Sequence, residues 1–144
     1  MATIVKRAEA VWKGSGKDGQ GTLTTESGAL SGANYSFKKR FGEEKGTNPE
    51  ELIGAAHAGC FSMALAFQLG GAGYEPEELH TKAVVKMEQE GAGWKIAAVE
   101  LTLQARIPGI SEDEFHKLAD AAKANCPVSK VLNANITLKT ELAS

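Results

Sequence analysis

The spacing of hydrophobic and polar positions changes several times along the chain, and each change marks an element. Residues 3–13 (TIVKRAEAVWK) alternate in part and read as a strand that ends at Gly14 and Gly16. A Lys17-Asp18-Gly19 turn leads into a second, Thr-rich strand over 20–27 (QGTLTTES). From Asn34 to Phe41, Tyr35, Phe37, Lys39 and Phe41 share one register while Ser36, Lys38 and Arg40 share the other. That alternation predicts a third strand, with Arg40 at its end, and the three together predict an antiparallel meander.

After the loop 42–47 the pattern changes in kind. Asn48 is a helix cap, Pro49 suits the first helical position, and Glu51 stands where it can close a capping box. No formal charge follows Glu51 until Glu75, so the predicted helix is apolar on nearly every side. From Asn48 to Leu69 it would span roughly 30 Å. Gly70, Gly71 and Gly73 stop it. Strands are predicted at about 79–88 and 94–107, joined by a turn at Gly91 and Gly93. In the second of these, Val99, Leu101, Leu103 and Ala105 alternate with polar neighbours. Ser111 and Glu114 form a second capping box before a helix with Phe115, Leu118, Ala119 and Ala122 on one face. Cys126 then caps a short helix that starts at Pro127, and 134–142 is a last strand.

Helices and strands do not alternate regularly, so the order predicts an α+β domain. The chain reads as one domain over 1–144, with an N-terminal meander over 1–45 and the central helix with the remaining α/β part over 46–144. A helix without a polar stripe needs more cover than one small chain provides, which predicts a homodimer with antiparallel sheets packed around long buried central helices. The uncharged run from Leu52 to Tyr74 is also long enough to span a bilayer. Its Ala, Gly, His57, Ser62 and Gln68 content favours a buried helix instead.

Composition narrows the partners. With 16 basic and 18 acidic residues interspersed and a net charge of -2, the chain has no electrostatic footprint for nucleic acid. The N-terminus carries no apolar stretch of signal-peptide length, which predicts a cytoplasmic protein with reduced thiols.

Cys60 and Cys126 are the two cysteines, 66 residues apart. Cys60 lies mid-helix among Gly54, Ala55, Ala56, Ala58 and Gly59, where it could simply fill space. Cys126 precedes a helix start, where N–H groups favour a thiolate. His57 is one helical turn from Cys60. This spacing fits a Cys–His nucleophilic pair, half of a metal site, or a buried His bonded to backbone or water. We read the last, because zinc sites show closer ligand pairing than this sequence offers. His80 and His116 fall on surface faces. Glu51 is absorbed by the cap, whereas Glu50 is free to point elsewhere. Ten residues of one helix put Glu50 roughly 15 Å from Cys60, so for the two to cooperate Glu50 must come from an antiparallel copy of the helix. There is no phosphate-binding glycine loop and no nucleophile-elbow serine in the sequence.

The stretch GTNPEELIGAAHAGCFSMAL, preceded by FKKRFGEEKG and followed by NCPVSKVL, resembles the OsmC branch of the OsmC/Ohr family of thiol-dependent peroxidases. TESG after the second strand and IPGIS before the second helix extend the likeness over essentially the whole chain. The resemblance implies an intertwined α+β homodimer with sites at the subunit interface. It also implies that Cys60 is the peroxidatic and Cys126 the resolving cysteine, and that Glu50 holds an active-site arginine. The Ohr-branch arginine is missing, since Lys17-Asp18-Gly19-Gln20 stands there; the OsmC pattern points to Arg40.

The implied reaction reduces organic hydroperoxides, with hydrogen peroxide as a further substrate. Cys60 becomes a sulfenic acid, Cys126 closes a disulfide, and a thiol or dithiol reductant restores the pair. An apolar pocket of Phe61, Met63 or Leu52 type would suit an organic peroxide. The resemblance implies no cofactor and no metal. A non-enzymatic dimer that senses redox state or holds a metal for a partner is the alternative.

Overall fold

The computed structural model describes residues 2–143. The chain forms two compact units, Met1–Leu52 and Ile53–Ser144.

In the first unit, β1 (Ala8–Lys13), β2 (Gln20–Thr25) and β3 (Ala33–Tyr35) make an antiparallel sheet in sequential order, the expected meander. Trp12 is paired with Gly21 and its ring lies 5.3 Å from that of Tyr35. A Cβ on Gly21 would come within 2.5 Å of both rings, so the two aromatics need a glycine between them.

The third strand is shorter than its alternation predicts. It ends at Tyr35, and Phe37–Phe41 form a helix, α1. Ser36 caps that helix, its hydroxyl accepting from the Lys39 N–H at 3.3 Å. The apolar spacing that reads as a strand also places Phe37 and Phe41 one helical turn apart, with ring centroids 5.0 Å from each other. Arg40 therefore stands on a helix rather than at a strand end. Asn48 then starts α2 (Pro49–Gly71): its Oδ1 accepts from the Glu51 N–H at 2.7 Å, while its Nδ2 donates to the Lys39 carbonyl at 3.1 Å. One side chain thus caps α2 and ties its start to α1.

The second unit contains the rest of α2, then β4 (Glu78–Glu90), β5 (Gly93–Arg106), α3 (Glu112–Asn125), α4 (Pro127–Val131) and β6 (Asn135–Ala143). The sheet order is β4-β5-β6. The first pair is an antiparallel hairpin with a register shift at Lys86/Met87. Contrary to the expectation of antiparallel sheets throughout, β6 runs parallel to β5. The intervening α3 and α4 supply the long crossover that a parallel pair requires.

Val99, Leu101, Leu103 and Ala105 are buried as their alternation predicts, and they pack with Phe61, Leu65 and Leu69 of α2 and Phe115 and Ala122 of α3. Ser111 caps α3 through the Glu114 N–H at 3.2 Å. The Glu114 carboxylate is engaged by the Tyr74 hydroxyl.

The central helix is not buried all round within one chain. Gly54, His57, Phe61, Leu65 and Leu69 form a single covered stripe. Gly54 faces β4, where an added Cβ would stand 3.3 Å from Val85 Cγ2. On other faces Met63 is 65% and Phe67 76% exposed. Among the described residues, α2 is the one helix long and apolar enough to cross a membrane by length and composition.

Candidate active site

Cys60 is carried near the middle of α2, half-buried, at the edge of the core. Cys126 sits in the bend between α3 and α4, where its own N–H still bonds the Ala122 carbonyl at 2.9 Å. Its side chain is fully buried. Both cysteines are free, and they are neighbours: each thiol acts on the proton affinity of the other. One sulfur is thus open to a reactant and the other waits behind it.

Their proton affinities differ. Burial raises the Cys60 thiol pKa above its ordinary value, and the hydrogen bond with Cys126 raises it further, against a lowering from the Val128 N–H. Burial also works against ionisation of Cys126. Hydrogen bonds from Cys60, from the Ser129 N–H and hydroxyl and from the Val128 N–H outweigh it, so this pKa falls. The sulfur makes no well-aligned capping bond; the N–H groups act on it chiefly through their charge.

His57, one turn before Cys60, is completely buried. Its Nε2 is 2.8 Å from Ser129 Oγ, while Nδ1 has no partner. Burial lowers its pKa, so the ring is neutral. The expected buried, hydrogen-bonded histidine is present, but it bonds a serine rather than backbone or water. No group of three or more His, Cys, Asp or Glu that could hold a metal occurs among the described residues.

Arg40 and Glu50 meet in the first unit. Arg40 Nε donates to Glu50 Oε1 at 2.8 Å and Nη2 donates to Oε2 at 2.9 Å, a two-point guanidinium–carboxylate pair. That hydrogen bonding raises the Arg40 pKa further. The Arg40 guanidinium carbon also stands 5.1 Å from the centre of the Phe41 ring. Arg40 joins Trp12, Lys17, Tyr35, Phe37 and Phe41 in lining an open groove of about 570 Å³. Phe61 cannot line an accessible pocket on this chain because it is fully enclosed in the core.

The structure thus joins Arg40 to Glu50 and Cys60 to Cys126, one pair in each compact unit. Sequence reading passed over Ser129, because a serine in PVSKVL carries no signal until the fold sets His57 against it. It also passed over the aromatic groove, whose residues come from three separate stretches.

A half-exposed free thiol beside a buried one, on an α+β scaffold, is the arrangement of a dithiol redox protein. The chain belongs to the OsmC-like protein family, whose profile matches residues 42–141. It is 50% identical over 142 residues to Peroxiredoxin OsmC of Escherichia coli, covering 99% of each chain. It is 35% identical over 101 residues to Organic hydroperoxide resistance protein OhrA of Bacillus subtilis, covering 69% of this chain and 70% of that one. A Legionella pneumophila crystal structure described as an organic hydroperoxide resistance protein OsmC matches with a TM-score of 0.72. Its identity is 25%, over 100% of both chains. The α+β fold expected from the element order is the fold of these proteins.

Proposed function

We propose that this chain is a cytoplasmic, homodimeric thiol peroxidase that reduces organic hydroperoxides and also accepts hydrogen peroxide. Its relatives' names, peroxiredoxin and organic hydroperoxide resistance protein, support the reaction class. The observation that carries the assignment of roles is the contact between half-exposed Cys60 and fully buried Cys126. Peroxide can reach only the first without the core opening.

The Cys60 thiolate attacks the terminal peroxide oxygen. The O–O bond breaks, an alkoxide leaves and takes a proton, and Cys60 holds a sulfenic acid. Cys126 attacks that sulfur and expels hydroxide, closing a disulfide. A thiol or dithiol reductant then returns both sulfurs to the reduced state.

Burial and the hydrogen bond with Cys126 both raise the Cys60 thiol pKa, so the nucleophile needs a positive charge beside it. Arg40 is that charge in this reading. Glu50 occupies one N–H on Nε and one on Nη2, leaving the remaining guanidinium donors for the thiolate and the peroxide oxygens. The aromatic groove beside Arg40 suits the organic group of the substrate. Glu50 and Cys60 are ten residues apart on one helix, so a second copy brings its Arg40–Glu50 pair to this Cys60. The exposed Met63 and Phe67 support a partner helix packed against α2.

The experiment is a single-turnover assay with one equivalent of cumene hydroperoxide. The native protein should consume peroxide and both thiols together. Cys60→Ser should abolish consumption, and Cys126→Ser should turn over once and accumulate sulfenic or sulfinic acid on Cys60. If the two variants behave alike, the division of roles is wrong.

A further inference from the structure

His57 is costly where it stands. A fully buried imidazole whose Nδ1 has no partner loses stability relative to a satisfied or apolar side chain. The rest of the covered stripe of α2 is Gly54, Phe61, Leu65 and Leu69, with no polar side chain among them. The ring's one bond is from Nε2 to Ser129 Oγ, at 2.8 Å. Ser129 is the third residue of the helix that Cys126 caps, which sets its hydroxyl and backbone N–H on the side of the Cys126 sulfur, where they favour the thiolate. A continuous line of polar atoms therefore runs from α2 through α4 to the thiol that lies behind Cys60.

The direction of the hydrogen bonds follows from what each atom can do. A thiolate only accepts, so facing one the Ser129 hydroxyl must donate to sulfur. Its oxygen is then free to accept, and the neutral imidazole serves it as an Nε2–H donor, leaving Nδ1 as the bare acceptor. We propose that His57 and Ser129 are positioning residues for the resolving step: the His57 Nε2–H holds the Ser129 hydroxyl proton on the Cys126 sulfur, so that Cys126 meets oxidised Cys60 as a thiolate. The roles of the two cysteines rest on the peroxidase reading above; the relay itself does not.

The step balances without a further oxidant. The Cys126 thiolate supplies the electron pair of the new S–S bond, and the S–O bond of the sulfenic acid breaks. Hydroxide departs with the S–O bonding pair and takes a proton from solvent. Ser129 keeps its O–H throughout. The titratable group acting directly on Cys126 is Cys60, from α2, and His57 of the same helix reaches it through Ser129. The α4 segment contributes the Ser129 hydroxyl and the N–H groups of Ser129 and Val128.

The test begins without peroxide. In the Cys60→Ser background, thiolate absorbance at alkaline-shifted ultraviolet wavelengths titrates Cys126 alone. Adding Ser129→Ala should raise its midpoint by about one pH unit, a tenfold loss of thiolate at a given pH below it. Ser129→Thr, which keeps the hydroxyl, should restore the midpoint. His57→Gln, which keeps an N–H donor near the Nε2 position, should shift it less than His57→Leu.

Single turnover of Ser129→Ala with native cysteines gives the second arm. Sulfenic acid on Cys60 should form no more slowly than in the native chain, while disulfide closure should slow about tenfold at pH 7. The difference should vanish above the raised Cys126 midpoint. An unmoved midpoint in Ser129→Ala would overturn the relay, as would slowing of closure by the same factor at every pH, which is what loosened packing would give. Failure of the native protein to consume peroxide would count against the peroxidase reading alone, since the titration reads the relay without it.

Discussion

At the scale of single residues, the two sulfurs illustrate how the surroundings override residue type. Cys60 and Cys126 are the same thiol, yet burial and mutual hydrogen bonding push the first up, while Ser129 and Val128 help pull the second down. A nucleophilic Cys60 therefore depends on a group outside its immediate shell, and Arg40 is the residue we assign to it. Arg40→Met removes the charge and keeps much of the stem volume. Cys60 should then keep its raised pKa, and the second-order rate with hydroperoxide should fall at least tenfold at pH 7. The deficit should shrink as pH approaches and passes the thiol's midpoint, because hydroxide then does what the guanidinium did. A pH–rate profile unchanged from native would remove Arg40 from the mechanism. Cys60, Cys126, Arg40 and Glu50 could all be singled out in the sequence, since each carries chemistry in its side chain. Ser129 could not, because a serine becomes notable only when a buried imidazole and a thiol face it.

At the scale of elements, α2 is the part most fully written in the sequence. Asn48 starts it as expected, and Phe61, Leu65 and Leu69 recur at helical spacing on the covered face. Its glycines divide into two kinds that sequence alone does not separate. Gly54 faces Val85 closely enough that Gly54→Ala should be near neutral, the gain of about 1 kcal/mol in helix propensity being offset by the squeeze. Gly54→Val should destabilise by about 1–3 kcal/mol in urea denaturation, from overpacking. Gly59 has nothing within 4 Å of an added Cβ. On the single chain Gly59→Leu is tolerated, so a shift from dimer to monomer in sedimentation, with the fold retained, would mark Gly59 as a helix-crossing point. A dimer of native strength would move the crossing elsewhere. The third strand shows the opposite situation. Alternating aromatics over 35–41 satisfy a strand period and a helical one about equally, and Ser36, as a cap, decides for α1.

At the scale of the whole molecule, the prediction is that a working site draws on two chains. Arg40 and Glu50 are joined within one chain and should move as a unit, so the partner delivers both or neither. Mixing inactive Glu50→Ala with inactive Cys60→Ser under conditions of subunit exchange should recover part of the activity. No recovery despite proven exchange would place Glu50 and Cys60 of each site on one chain. The interface should be of the obligate kind, burying more than about 2,000 Å². What the sequence determined by itself was local in origin: strand and helix periods, caps at Asn48 and Ser111, the apolar length of α2, and the residue types able to carry thiol chemistry. These follow from backbone geometry and side-chain chemistry within a few residues, which a pattern can record. The tertiary structure alone decided that β6 runs parallel to β5, that Arg40 grips Glu50, and that Ser129 stands between His57 and Cys126. The Arg40–Glu50 and His57–Ser129 contacts join residues 10 and 72 positions apart. No local period encodes such contacts, because they exist only once the chain has closed around its core.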